Sequence, residues 1–298
     1  MKANVFNLNP PITIKNLLKE STKALKSSSN SPRLDVEILL SFFLNEDRSW
    51  LYTHLNEFLN TDLEPFKNLL KRRINGEPIS YIIGYKEFWK DKFLVNRHTL
   101  IPRPETELIV ENTLIWCNKN RIKNPVILDL GTGSGNIALS ILRELKDAYA
   151  FCLDISFDAL ILAKTNAKRL GVEKRVNFFL SNWFSCIKEK PFFDVIVTNP
   201  PYVEEKDIDE LDITVKKFEP KEALFAGEDG LLEIKNILST LPFYIKSPML
   251  FMSEIGFKQG KEVLKFLEKI KQQYKIDFSY NILKDLAGLD RVIKLEFN

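Results

Sequence analysis

The segment Val126-Ile-Leu-Asp-Leu-Gly131-Thr-Gly133-Ser-Gly135-Asn-Ile-Ala-Leu restricts the fold of this chain more than any other. A mainly apolar run of strand length leads directly into three alternating glycines, and these lead into a helical pattern over residues 137–145. Strand, tight turn and helix in immediate succession open a parallel βαβ unit, and glycines at the turn let the backbone approach a ligand closely. The alternation continues. Further apolar runs fall at 149–153, 176–180, 193–198, 249–253, 276–283 and 291–297, and helical patterns at 157–170, 231–238 and 259–270 separate most of them. The chain is therefore expected to be α/β, with a doubly wound, mostly parallel seven-stranded sheet covered on both faces.

That sheet accounts for only part of the 298 residues, and a chain of this length is expected to form two domains. Upstream, apolar residues recur at helical spacing: Ile14, Leu17 and Leu18; Val36, Leu39, Leu40 and Phe43; Leu51, Leu55, Phe58 and Leu59; Phe66, Leu69, Leu70 and Ile74. Turn chemistry at 27–32 and 61–62 separates them, no strand pattern interrupts them, and the reading is a small helical bundle. Between Gly84 and Arg103 the texture changes to aromatics interleaved with charges, as in a short hairpin. The expected division is a helical recognition domain over 1–84, a hairpin linker over 85–103, and the sheet domain over 104–298, entered through a helix at 105–119.

Other chemistries are excluded by what the chain lacks. Cys117, Cys152 and Cys186 form no CxxC pair and the chain has two histidines, His54 and His98, so neither a disulfide framework nor structural zinc is indicated. Both histidines are read as structural or surface groups. The N-terminus shows no continuous apolar core or cleavage motif, and the longest apolar cluster, 38–44, is far too short to span a bilayer; a cytoplasmic location is expected. The formal net charge of +3 is too small for affinity to nucleic acid driven by bulk phosphate neutralisation.

The glycine spacing is GxGxG rather than GxGxxG, with no Lys-Ser/Thr pair, so both common phosphate-binding fingerprints are weakened. Asp154 closes the next strand, where an acidic side chain in such folds takes two ribose hydroxyls. A glycine turn with a diol-binding acid and no provision for pyrophosphate points to a phosphate-free nucleoside, of which S-adenosylmethionine is the obvious candidate. Ser181-Asn182-Trp183 emerges at the same sheet edge, with Trp183 read either as a wall beside an adenine or as core.

Asn199-Pro200-Pro201-Tyr202 follows a buried strand, and nothing about sheet stability asks for it. The two prolines stiffen the loop and push Asn199 toward extended geometry, leaving carbonyls free. With the Asn199 side-chain oxygen they can hold both hydrogens of an NH₂ group while its lone pair is aimed at a methyl donor. Tyr202 is placed to pack over the planar group that carries that nitrogen.

At this point the chain resembles the amino-group methyltransferases that carry an NPPY or DPPY signature behind a DxGxGxG loop. Within them it is most similar to the glutamine-N5 methyltransferases of peptide-chain release factors, the PrmC/HemK type, with a Rossmann-like methyltransferase domain. Thr99-Leu-Ile-Pro-Arg103-Pro-Glu105-Thr-Glu107, Phe218-Glu219-Pro220 with Ala223-Leu224, and Glu254-Ile-Gly256 with Gln259-Gly260 carry the closer likeness, which runs from about Leu34 to Phe297. The resemblance implies that Gly131, Thr132, Gly133, Ser134 and Gly135 cradle S-adenosylmethionine, that Asp154 takes its ribose, and that Trp183 lies near its adenine. Asn199 would touch both cofactor and substrate, and Asn199, Pro200, Pro201 and Tyr202 would clamp the glutamine of the release factor's GGQ loop. The implied protein is a monomer whose partner is a class 1 release factor, with no membrane and no direct nucleic-acid contact. Adenine-N6 or guanine-N2 nucleic-acid methylation through the same clamp is the alternative; it needs base flipping, and no basic insert follows the tetrad.

Overall fold

A computed structural model describes residues 8–298. The first seven residues, counted above to the N-terminal domain and to a terminus without a targeting motif, lie outside the described residues. The chain divides into two compact units, one reaching to Gly84 and including 212–218, the other comprising Tyr85–Leu211 and Glu219–Asn298.

In the first unit, helices α1 (Ile14–Leu25), α2 (Pro32–Leu44), α3 (Arg48–Thr53), α4 (Glu64–Ile74) and α5 (Ile79–Ile83) bury the apolar residues picked out by helical spacing, among them Leu17, Leu39, Phe66 and Leu70. Two strands of two residues, β1 (Ile12–Thr13) and β2 (Phe58–Leu59), pair within this bundle, contrary to the strand-free reading. Segments this short carry no periodicity to detect. A late helix, α9 (Ile213–Phe218), also belongs here, with Lys217 donating to the Asn75 carbonyl at 3.3 Å.

The second unit is built on a seven-stranded sheet in the order β10-β11-β9-β8-β5-β6-β7. Its strands are β5 (Val126–Leu130), β6 (Tyr149–Asp154), β7 (Val176–Leu180), β8 (Val195–Thr198), β9 (Met249–Glu254), β10 (Ser279–Lys284) and β11 (Asp290–Phe297). The five from β9 to β7 are parallel, while β11 runs antiparallel to both its neighbours. Helices α6 (Glu107–Lys119), α7 (Asn136–Glu144), α8 (Phe157–Arg169), α10 (Leu232–Thr240) and α11 (Gly260–Tyr274) supply the layers, and two buried clusters form on the sheet. From β5 the chain winds outward through β6 and β7, then returns on the other side of β5 as β8. That reversal opens a crevice at the carboxyl ends of the strands.

The hairpin β3 (Tyr85–Phe88) and β4 (Asp91–Leu94), expected to act as a linker, packs into this second unit: Phe88 and Phe93 are buried in its core. Asn166 of α8 receives the Leu94 N–H at 2.8 Å and donates to the Leu94 carbonyl at 3.1 Å, so the hairpin is tied down by an internal side chain. Residues 104–106 form a 3₁₀ turn before α6, with Pro104 at its first position, where the missing N–H costs nothing. Among the described residues no helix is long and apolar enough to cross a membrane.

Candidate active site

The crevice is a cavity of about 830 Å³, and the carboxyl ends of four neighbouring strands open into it. Gly131, Asp154, Ser181 and Asn199 all line it.

At the β5–α7 turn, Gly131, Gly133 and Gly135 have φ of +71°, +56° and +82°, a region that disfavours any residue with a Cβ. Gly131 is further confined, since a Cβ there would meet the Trp183 ring at 3.2 Å. Beside Gly133 the space is open. Gly135 stands outside the cavity lining and serves as the cap of α7, where a Cβ would lie 2.7 Å from Leu139 Cδ1. The turn is held by its own bonds: Thr132 N–H donates to the Leu153 carbonyl and Gly135 N–H to the Thr132 carbonyl, both at 2.8 Å. Gly133 N–H donates to Asp154 Oδ2, also at 2.8 Å. Three of its amides are thus spent inside the protein, which leaves the turn ill suited to cradle a phosphate. The Thr132 hydroxyl donates to Asp129 Oδ2 at 2.7 Å, under the turn.

Asp154 ends β6 and is largely buried, and burial pushes its carboxyl above the usual range. Oδ1 takes the Ser156 N–H at 2.8 Å, so both oxygens are held by backbone donors and keep lone pairs for a ligand. The Trp183 ring packs on core and also walls the cavity, while its Nε1 donates to Glu233 Oε2 at 2.6 Å. An open turn, a polar pair of lone-pair-bearing oxygens and an aromatic wall fit a nucleoside without phosphate.

Across the cavity, Thr198 Oγ1 donates to the Leu130 carbonyl at 2.7 Å and ties the end of β8 to the end of β5. The next residue, Asn199, lines the cavity, and its Oδ1 is shut from solvent and has no hydrogen-bond partner. Its Nδ2 points to Thr106 Oγ1 at 3.4 Å. Pro201 lines the cavity, Pro200 beside it is buried, and Tyr202 does not line it. The Tyr202 hydroxyl bonds the Glu254 carboxyl, and its carbonyl accepts from Gln259 Nε2 at 3.0 Å. Tyr202 therefore anchors the loop from below in this arrangement, where the sequence reading set it over the acceptor.

Sequence reasoning gave no role to several residues that shape the site. Asn166 Nδ2 donates to the Ser134 carbonyl at 2.9 Å and joins the glycine turn to the hairpin. Glu219 accepts from Ile101 N–H at 3.1 Å and from Arg103 at 2.6 Å, fixing the 99–107 segment that forms one wall. His98, read as a structural or surface group, stands on that wall with Nδ1 3.5 Å from Asp158. The quoted motifs around Arg103, Glu219, Glu254 and Gln259 hold these partners, but only the three-dimensional pairing reveals what each does.

A parallel sheet with this crevice, a glycine turn closed to phosphate and a carboxylate on the following strand define an S-adenosylmethionine-dependent methyltransferase. Comparison carries the assignment further. A family model described as the PrmC N-terminal domain matches residues 16–84, and the methyltransferase small domain matches 110–225. The chain is 42% identical to the release factor glutamine methyltransferase of Buchnera aphidicola, over 94% of this chain and 97% of that one. It is 38% identical to a bifunctional methyltransferase of Rickettsia conorii, over 94% of this chain but only 57% of that longer one. Among solved structures, the hMettl16 catalytic domain in complex with an RNA hairpin aligns with a TM-score of 0.55 at 13% identity, covering 82% of this chain and 85% of that one; this shows the fold alone. The chain belongs to the release factor glutamine methyltransferase family.

Proposed function

We propose that this protein methylates the side-chain amide nitrogen of the glutamine in the GGQ motif of class 1 release factors. When bound, S-adenosylmethionine supplies a methyl group on a sulfonium, electrophilic enough to need no metal. Gly131, Thr132, Gly133 and Ser134 form the floor for it, Asp154 accepts from the ribose hydroxyls and Trp183 borders the adenine. Gly135 acts by holding the turn to α7.

The observation that carries the reading is the bare Asn199 Oδ1. An acceptor shut from water and unpaired costs about 1–3 kcal/mol, so a fold that keeps one beside a cavity holds it for a donor that arrives with the substrate. Asn199 Oδ1 takes one N–H of the acceptor amide and the Pro200 carbonyl the other. Held this way the nitrogen is presented with its lone pair in line for transfer, and such positioning is worth up to ~7–11 kcal/mol of barrier. No side chain of the tetrad is a base, so the proton leaves to solvent after the new bond has formed. Pro201 closes the wall, and Tyr202, through Glu254 and Gln259, keeps the loop rigid. The helical unit recognises the release factor, and the protein works as a cytoplasmic monomer, where release factors act.

Labelled S-adenosylmethionine, offered with release factor, ribosomal RNA and DNA, tests this directly. Label is expected only in the release factor, and none in a factor whose GGQ glutamine is changed to alanine. Label in that altered factor, or in a nucleic acid alone, overturns the reading.

A further inference from the structure

An asparagine side chain has two ends of nearly the same shape and opposite polarity. The clamp works only if Asn199 turns its oxygen, and not its NH₂, toward the acceptor. Neither β8 nor the proline loop decides this, because rotation about the last side-chain bond exchanges the two ends at little steric cost.

The decision falls to a group on another element. Thr106 Oγ1 lies 2.5 Å from Glu254 Oε2, and both side chains are about 1% exposed, so no water competes for the bond. A hydroxyl has one proton, and a buried carboxylate at this distance takes it. The Thr106 oxygen is left with lone pairs only. It can accept but not donate, and so it admits the Nδ2 end of Asn199, at 3.4 Å. Oδ1 is then the end without a partner. Burial pushes the Glu254 carboxyl above its usual range, and the hydrogen bonds from the Thr106 and Tyr202 hydroxyls and the nearby Arg291 charge oppose that shift, so both hydroxyls favour the form of Glu254 that accepts. The reversed amide would set Asn199 oxygen against the lone pairs of Thr106 and its NH₂ against the NH₂ of the substrate, losing both bonds.

We infer that Thr106 and Glu254 are positioning residues which, through a one-way hydrogen-bond chain, set the end of the Asn199 amide that faces the acceptor; this rests on the reaction proposed above. Two motifs with no role in the sequence reading, the segment around Thr106 and the one opening at Glu254, acquire one here.

The test uses the full chain. Thr106→Val keeps the shape and removes the hydroxyl; turnover on a class 1 release factor should fall about tenfold to a hundredfold, as for a misaimed acceptor, while calorimetry shows S-adenosylmethionine affinity within about twofold of the unaltered protein. Thr106→Ser returns the hydroxyl and should restore turnover to within about threefold. Glu254→Gln replaces one accepting oxygen with an NH₂, so Thr106 is no longer forced to donate to it, and turnover should fall to between that of Thr106→Val and that of the unaltered protein. A second readout needs neither acceptor nor turnover: with ¹⁵N-labelled asparagine, the Asn199 side-chain signals, assigned by their loss in Asn199→Ala, should shift in Thr106→Val and Glu254→Gln but not in Thr106→Ser. Normal turnover in Thr106→Val, a Thr106→Ser variant as slow as Thr106→Val, or Asn199 signals indifferent to all three changes each overturns the inference. Should the release factor itself prove the wrong acceptor, the unaltered enzyme leaves it unlabelled, and the resonance series still decides the positioning.

Discussion

The two ends of the cavity are built on opposite principles. At the glycine end the protein satisfies itself: the turn's amides bond to Leu153, Thr132 and Asp154, and the Asp154 oxygens each hold a backbone N–H. What it offers a ligand is shape and spare lone pairs. At the Asn199 end the protein withholds a bond, leaving one oxygen unpaired against a rigid loop. The difference teaches how labour is divided in a transfer reaction. A large molecule that must be held can be met by a preformed surface, whereas a small NH₂ that must be aimed needs an acceptor kept free for it.

Substitutions at the two ends should therefore fail differently. Asn199→Ala carries the largest effect. If its bond strengthens as the methyl moves, turnover falls by ~10²–10³, comparable to removing one preorganised hydrogen bond from an oxyanion site, while S-adenosylmethionine affinity falls far less. Calorimetry beside steady-state kinetics separates the two quantities, and an equal loss in both would erase the proposed division. Asp154→Ala should show the converse. It removes the acceptor for a diol and also frees Gly133 N–H, so affinity should weaken by ~1.5–3 kcal/mol, about tenfold to a hundredfold in Kd. Turnover at saturating cofactor should change little, and unchanged binding would remove Asp154 from the site.

The two ends also differ in how far the sequence exposes them. The strands and helices of the sheet unit were legible because buried parallel strands are near-continuous apolar runs, and β5, buried over all but its first residue, falls on the expected residues. The glycine turn was legible for a related reason: a chain needing φ > 0 at three alternate positions has one good choice of residue, so Gly131, Gly133 and Gly135 announce their geometry. Asn199 was singled out by the two prolines after it. Its partners were not, because Thr106 and Glu254 are 148 positions apart and ordinary in type. Tyr202 was misplaced for the same reason, its hydroxyl partner lying on β9. The hairpin was visible as a hairpin, yet its attachment depends on Asn166, a polar residue within a helical pattern that carries no mark of its role. And α9 joins the first unit although 127 residues of the second, Tyr85–Leu211, come before it; local periodicity cannot report so distant an association.

One group at the glycine end breaks the rule of satisfaction, and it sharpens the comparison with the smallest effect. Asp129 is wholly buried under the turn, its Oδ1 has no hydrogen-bond partner, and it does not line the cavity. Burial pushes its carboxyl up to about 7, partly opposed by the Thr132 hydroxyl. An unfolded aspartate titrates near 3.9, so between about pH 4 and 7 the folded protein binds the proton more tightly than the unfolded chain. Its contribution is therefore fully favourable below about pH 4, declines as pH rises through the window, and is constant above about 7. Asp129→Asn keeps an oxygen for Thr132 and cannot ionise. The melting temperature of this variant relative to the unaltered protein should rise between pH 5 and pH 8, by a shift on the order of a few degrees. Carboxylates elsewhere titrate in both proteins and cancel in the difference. S-adenosylmethionine affinity at pH 5 should be nearly the same in both, because an unpaired oxygen beneath the turn is a matter of stability, whereas the one at Asn199 is a matter of chemistry. A melting difference independent of pH would show that Asp129 does not ionise in this range, and a large loss of affinity in Asp129→Asn would make both ends of the cavity rely on an unpaired oxygen.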